Sequence, residues 1–201
     1  MIMNTKYLLP VVALFLFYGC HKNEVQDEKG KEISEKKKIE PKYGKIFFDY
    51  DQIDYYSINI EEEKLQELDD NRNHSKADQY KYDVLIDETP TTLQDLGFLN
   101  YLTRIGFAKK EIPSTEFDRI NTIFVEKNIT DGYIMGCVPF FRDILVFKKK
   151  NAITGIAKIC FTCHQYRIIG TNADTKNFGM GDDYEKLGAV LDHLKKNKSE
   201  H

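Results

Sequence analysis

Phe141-Arg142-Asp143-Ile144-Leu145-Val146-Phe147-Lys148-Lys149-Lys150-Asn151-Ala152-Ile153-Thr154-Gly155-Ile156-Ala157-Lys158-Ile159-Cys160-Phe161 sets two apolar runs on either side of a polar tip. Runs of strand length around a short polar stretch read as a β-hairpin. Lys149-Lys150-Asn151 suits a three-residue loop in which a type I turn is followed by an αL residue, a conformation Asn tolerates better than most. Closing the chain there pairs Lys148 with Ala152, Phe141 with Ile159 and Cys137 with Cys163. Phe141, Leu145 and Phe147 then share a face with Ala157, Ile159 and Phe161. A slip of one residue would turn every side chain over, so the apolar pattern supports this register.

Outward from the hairpin, strands are predicted over residues 133–148, 153–164 and 166–170, followed by a helix over 182–196. In that helix Tyr184, Leu187, Val190, Leu191 and Leu194 make one apolar face. In the N-terminal half, strands are predicted over 45–50 and 54–60. A capping box from Asn59 to Glu62 then opens a helix ending near Asp70. Residues 71–79 read as a loop. Tyr80, Tyr82, Val84 and Ile86 alternate with polar residues, which fits a strand with one dry face. Thr92 is the N-cap of a helix carrying Leu93, Leu96, Leu99 and Leu102, stopped by Gly106. A further helix from Ser114 aligns Phe117, Ile120, Ile123 and Phe124. Strands and helices mix without a β-α-β rhythm. The expected class is therefore α+β: an antiparallel sheet with helices packed on one face and a C-terminal amphipathic helix.

At the N-terminus Lys6 precedes the apolar run from Tyr7 to Tyr18, which ends in Gly19-Cys20. A run of about twelve is short of the roughly twenty residues that span a bilayer and suits the apolar core of a signal peptide. Gly19-Cys20 resembles the lipobox of bacterial lipoproteins, with Phe17 and Tyr18 where Leu and a small residue are usual. The resemblance implies cleavage before Cys20 and lipid on that cysteine. Residues 21–41 contain no aromatic side chain and only Val25, Ile33 and Ile39 as large apolar ones, among interspersed lysines and acids. Such a segment cannot bury enough surface to offset its ordering entropy. The organisation expected is a lipoprotein signal peptide over 1–19, a lipidated, charged, flexible tether over 20–42 and a single α+β domain over 43–201. A net charge of −3 offers nothing to nucleic-acid phosphates, so no nucleic-acid partner is expected.

Arg142-Asp143-Ile144-Leu145-Val146-Phe147, Lys158-Ile159-Cys160-Phe161-Thr162-Cys163, Ile169-Gly170, Asn177-Phe178-Gly179 and Gly181-Asp182-Asp183-Tyr184 are together similar to a group of small, uncharacterised lipoproteins of Gram-negative bacteria. That resemblance implies a place in the cell envelope and no activity. His21 and Lys22 follow Cys20, where an Asp would resemble an inner-membrane retention signal. The expected location is the outer membrane, with the domain facing periplasm or cell surface.

The sharpest chemical motif is Cys160-Phe161-Thr162-Cys163-His164, the C-x-x-C-H form used to attach c-type haem, with Met180 or His193 available as a sixth ligand. The alternating pattern around it predicts a strand, however. Residues i and i+3 of a strand point to opposite faces about 10 Å apart, too far for one porphyrin edge. The same geometry argues against a Cys160–Cys163 disulfide and leaves Cys137–Cys163 as the expected bond, with Cys160 free. A metal site from Cys137, Cys160, Cys163 and His164 would need the backbone to curl, and no metal is expected. Asp49, Asp51 and Asp54 resemble a calcium loop, but its Gly is absent and Ile60 stands where the loop's Glu belongs, so a solvated turn is expected. Asp143 falls on the dry face opposite Ala157, where it needs a partner, Arg142 or Arg167, unless a bulge at Pro139 turns it out. Tyr43, Tyr50, Tyr55, Tyr56, Tyr80 and Tyr82 offer either a binding face or core and sheet surface. No catalytic residue is assigned. The function expected is a lipid-anchored cell-envelope protein with a non-enzymatic binding or interaction domain, attached to the membrane through Cys20 and meeting an envelope protein partner. The alternatives are a c-type haem electron-transfer protein using Cys160, Cys163 and His164, and a thiol-redox or hydrolytic envelope enzyme.

Overall fold

Ile144-Leu145-Val146-Phe147 forms the middle of a five-stranded antiparallel sheet, every residue of it buried. A computed structural model describes residues 42–129 and 135–196. The signal peptide, the lipidation residue Cys20 and the tether up to residue 41 lie outside the described residues. The elements run β1 Tyr43–Ile46, β2 Gln52–Ser57, α1 Glu62–Asp70, α2 Lys76–Leu85, α3 Leu99–Leu102, β3 Ala108–Glu111, α4 Phe117–Ile123, β4 Val125–Lys127, β5 Asp143–Lys149, β6 Ala152–Cys160, β7 Gln165–Ile169 and α5 Asp183–Lys196. The large sheet has the order β3-β2-β5-β6-β7, and β1 pairs with β4 in a separate two-stranded sheet. The class is α+β with an antiparallel sheet, and the C-terminal helix α5 is present.

The helices lie on both faces of that sheet, which corrects the expectation of one. On one face Tyr55, Leu145, Phe147, Ala157 and Ile159 pack with Ile120 and Ile123 of α4 and with Leu187, Val190 and Leu191 of α5. On the other, Tyr56, Ile144, Val146 and Ile156 pack with Leu65 and Leu68 of α1, Val84 and Leu85 of α2 and Leu102 of α3. The cause is visible in β5 itself. A strand with consecutive apolar residues has no wet face, and both sides must be covered.

The hairpin tip is shorter than predicted. Lys150 and Asn151 have φ of 48° and 67°, the two left-handed residues that a type I′ turn demands, and Lys149 faces Ala152 directly. The register shifts once more between Phe147 and Lys148, after which Phe147 faces Gly155 and Asp143 faces Ile159. Beyond that bulge the strands are displaced by two residues from the expected register. An even displacement preserves the faces, so Leu145, Phe147, Ala157 and Ile159 still share one core. Asp51 anchors the tip, its carboxylate accepting the Lys150 N–H at 3.1 Å.

Four further expectations change. Residues 80–86 are mostly helix, because Ser75 caps α2 by accepting the Asp78 N–H at 3.2 Å, and adjacent Val84 and Leu85 are both buried. The capping box does not form, since α1 begins at Glu62 with Glu61 as its cap and no side-chain bond. The strand ending predicted at His164 stops at Cys160, and the strand predicted from 133 starts at Asp143.

Candidate functional site at the cysteine turn

Cys160 pairs with Gln165, so the four residues Phe161-Thr162-Cys163-His164 form the connection from β6 to β7, and His164 takes a left-handed φ of 49°. A turn brings residues i and i+3 together where a strand would separate them. The Cys163 N–H accordingly donates to Cys160 Sγ at 3.4 Å, and Cys160 Sγ lies 3.4 Å from Thr162 Oγ1. The strand argument that set Cys160 and Cys163 apart is therefore corrected.

Cys137 and Cys163 stand at disulfide distance, with Cα atoms 6.0 Å apart. Their meeting does not come from strand pairing, because Cys137 precedes β5. The loop before β5 is instead pinned to the turn. Met135 N–H donates to the Cys163 carbonyl at 3.2 Å, and Gln165 Nε2 donates to the Met135 and Cys137 carbonyls at 2.9 and 2.8 Å. Cys160 and Cys163 are buried in a small cluster with Phe141, whereas Cys137 is exposed.

The haem reading requires two free sulfurs and an available imidazole. Here Cys163 stands at disulfide distance from Cys137, Cys160 is 1% exposed, and the His164 ring is stacked on Tyr184 at 4.5 Å and 14°. These residues as folded do not fit haem attachment. Met180 lies in a loop beyond β7 and His193 is an exposed residue of α5. Among the described residues, no group of three or more His, Cys, Asp or Glu side chains is arranged to hold a metal ion, so Cys137, Cys160, Cys163 and His164 are not assembled as ligands.

On the same end of the sheet, Asp143 is buried and accepts a hydrogen bond from the Tyr55 hydroxyl. Burial first, and then Asp143, hold that hydroxyl well above its ordinary pKa. Neither expected arginine pairs with Asp143: Arg142 lies 3.9 Å from Glu62, and Arg167 pairs with Glu88 at 2.7 Å. A cleft of about 440 Å³ opens beside it, lined by Asn59, Arg142, Asp143, Phe161, Leu191 and Asp192.

Lys158 is a buried group that the sequence reading passed over. It is 1% exposed, donates to the carbonyls of Asp87 and Thr89 at 2.8 Å each, and sits 4.6 Å from the Phe141 ring. Burial first, with Arg167 adding to it, pushes its pKa down to about 7. Its sequence signature is a lysine inside the apolar run from Gly155 to Cys160. Asp54 is also buried. Burial pushes its carboxyl up, but Lys109 at 2.9 Å and Lys148 on its other side hold it below the ordinary value. Asp49 pairs instead with Lys149 at 3.0 Å, so Asp49, Asp51 and Asp54 serve separate contacts.

The tyrosines do not share a face. Tyr55 and Tyr56 are core residues on opposite sides of the sheet, and Tyr80 packs on Tyr101 at 4.3 Å. Tyr50 donates to Asn121 Oδ1 at 2.8 Å, and burial pushes its pKa up to about 12. Beside it, Lys45, Ile46, Phe48, Tyr50, Phe117 and Asn121 line an open cleft of about 510 Å³. No protein-family model, curated protein or solved structure matches the chain. Among the described residues, no helix is long and apolar enough to cross a membrane.

Proposed function

We propose that the protein is a lipid-anchored component of the cell envelope whose domain works by binding another envelope protein. The anchor is Cys20, supported by Lys6, the apolar run and Gly19-Cys20. The observation that carries the binding role is the aromatic cleft at the start of the domain, lined by Phe48, Tyr50 and Phe117, with Ile46 of β1 46% exposed at it. Apolar side chains held open beside a cleft lose water favourably when a partner covers them, and aromatic groups do so at low entropic cost. The buried carboxylates are engaged within the fold: Asp54 by Lys109 and Lys148, Asp143 by Tyr55, and Asp183 by Lys127 at 2.6 Å. That pattern supports a structural role for them and binding rather than catalysis.

Two measurements test the parts separately. Cys20→Ser should move the protein from the membrane to the soluble fraction, and a Cys20→Ser product that stays with the membrane rejects the anchor. A photo-crosslinking residue placed at Ile46 in cells should give a discrete protein adduct that the same residue placed at exposed Asp70 does not. Equal labelling from both positions rejects the cleft as the binding face. One observation favours a second reading, thiol chemistry at the cysteine turn: the Cys163 N–H directed at Cys160 Sγ.

A further inference from the structure

The geometry points to a three-sulfur exchange site, in which Cys160 displaces Cys137 from Cys163 and releases Cys137 at the surface as a thiolate toward disulfide-bearing partners. The β6–β7 turn places a buried thiol beside a buried disulfide sulfur, with Cys160, Cys163 and Phe141 in one cluster. The Cys163 N–H donates to Cys160 Sγ at 3.4 Å and is placed to stabilise negative charge on the attacking sulfur, and Thr162 Oγ1 lies 3.4 Å from the same atom. The third sulfur belongs to an exposed residue, and Met135 and Val138 beside it are 45% and 46% exposed. Exchange therefore transfers a thiol from the interior to an open, apolar-flanked surface.

The step balances without an oxidant. The Cys160 proton leaves with the departing Cys137 sulfur, which passes it to solvent at the surface, and the Cys160 electron pair forms the bond to Cys163 Sγ. The Cys137–Cys163 bond breaks with its pair leaving on Cys137 Sγ. Thiol–disulfide exchange proceeds by this kind of thiolate attack, and the number of disulfides is unchanged. The freed Cys137 thiolate then attacks a partner disulfide, forming a mixed disulfide and expelling the partner's other sulfur as a thiolate. The loop carrying Cys137 is tied to the turn by Gln165 and the Cys163 carbonyl, contacts that do not depend on the sulfur bond.

The test labels the native, oxidised protein with N-ethylmaleimide in the absence of denaturant, followed by peptide mapping. The expected product carries the label on Cys137 together with a Cys160–Cys163 bond, and Cys160→Ser should abolish that labelling. Label on Cys160, label on Cys163, or no label until denaturant is added would each overturn the exchange. A second variant reads the same geometry independently of the surface thiol. Cys137→Ser treated with oxidised glutathione should close Cys160–Cys163 and leave no free thiol, whereas two persistent thiols or a stable glutathione adduct rejects it.

Discussion

Lys158 places an amine in the interior of the central sheet, where its two hydrogen-bond acceptors are uncharged carbonyls of Asp87 and Thr89. A neutral amine has two N–H groups, enough for both acceptors, so the uncharged form satisfies the site while avoiding the cost of a buried charge. The consequence for stability follows from proton counting. The folded pKa is lowered to about 7, whereas an unfolded lysine titrates near 10.4. Between roughly pH 7 and pH 10 the unfolded chain holds a proton that the folded protein does not, so stability rises with pH through that window. Denaturant midpoints measured from pH 7 to pH 10 should climb in the native protein, and the climb contributed by this group should vanish in Lys158→Met. An unchanged slope in the variant would place the titration elsewhere. Asp54 acts in the same direction at acid pH: its lowered carboxyl contributes stability above the unfolded value, lost as the pH falls through the folded one.

At the level of the element, the β5–β6 hairpin depends on a glycine and on a crosslink beyond its open end. Gly155 faces Phe147, and a Cβ built there would overlap the Phe48 ring, which stacks on Phe147 at 4.3 Å between centroids. Gly155→Ala should therefore destabilise by overpacking, about 1–3 kcal/mol in an unfolding experiment. A neutral result would mean that Phe48 swings clear. Cys137 and Cys163, at disulfide distance, are 26 residues apart, a separation at which chain-entropy reasoning expects roughly 3 kcal/mol from the loop their bond would close. Cys137→Ser and Cys163→Ser should each lower the melting temperature by similar amounts. The double variant should cost little more, because either change removes the same bond. Additive losses would show that the two residues act separately.

For the whole molecule, the decisive property is that two cores share one sheet. Leu85 of α2 and Leu187 of α5 are fully buried on opposite faces. Truncating either to Ala should cost about 2–5 kcal/mol, the range for a large side chain removed from a packed interior. Because β2, β5 and β6 contribute side chains to both cores, each variant should shift one common unfolding transition in calorimetry. Two separable transitions would mean that the faces fold independently.

The alternation and apolar content of the chain by themselves determined that there is an antiparallel hairpin, which of its residues share a face, and that an amphipathic helix closes the C-terminus. These properties depend on periodicity, which neighbours in sequence already specify. The run from Ile144 to Phe147 also carried the two-sided burial, although alternation alone assigns it one dry face. Residues 80–86 show the limit of a local period, since a short alternating stretch is overruled by a Ser75 cap and by packing against the sheet. Tertiary structure decided the register, through a bulge that no periodicity announces. It also decided where β6 ends, and with that whether Cys160 and Cys163 face apart or converge. The end of β6 is set by the pairing of Cys160 with Gln165 and by a loop from before β5 bonded to the turn. Contacts of that range depend on which distant groups find hydrogen-bond partners, and a linear pattern of side chains does not contain that information.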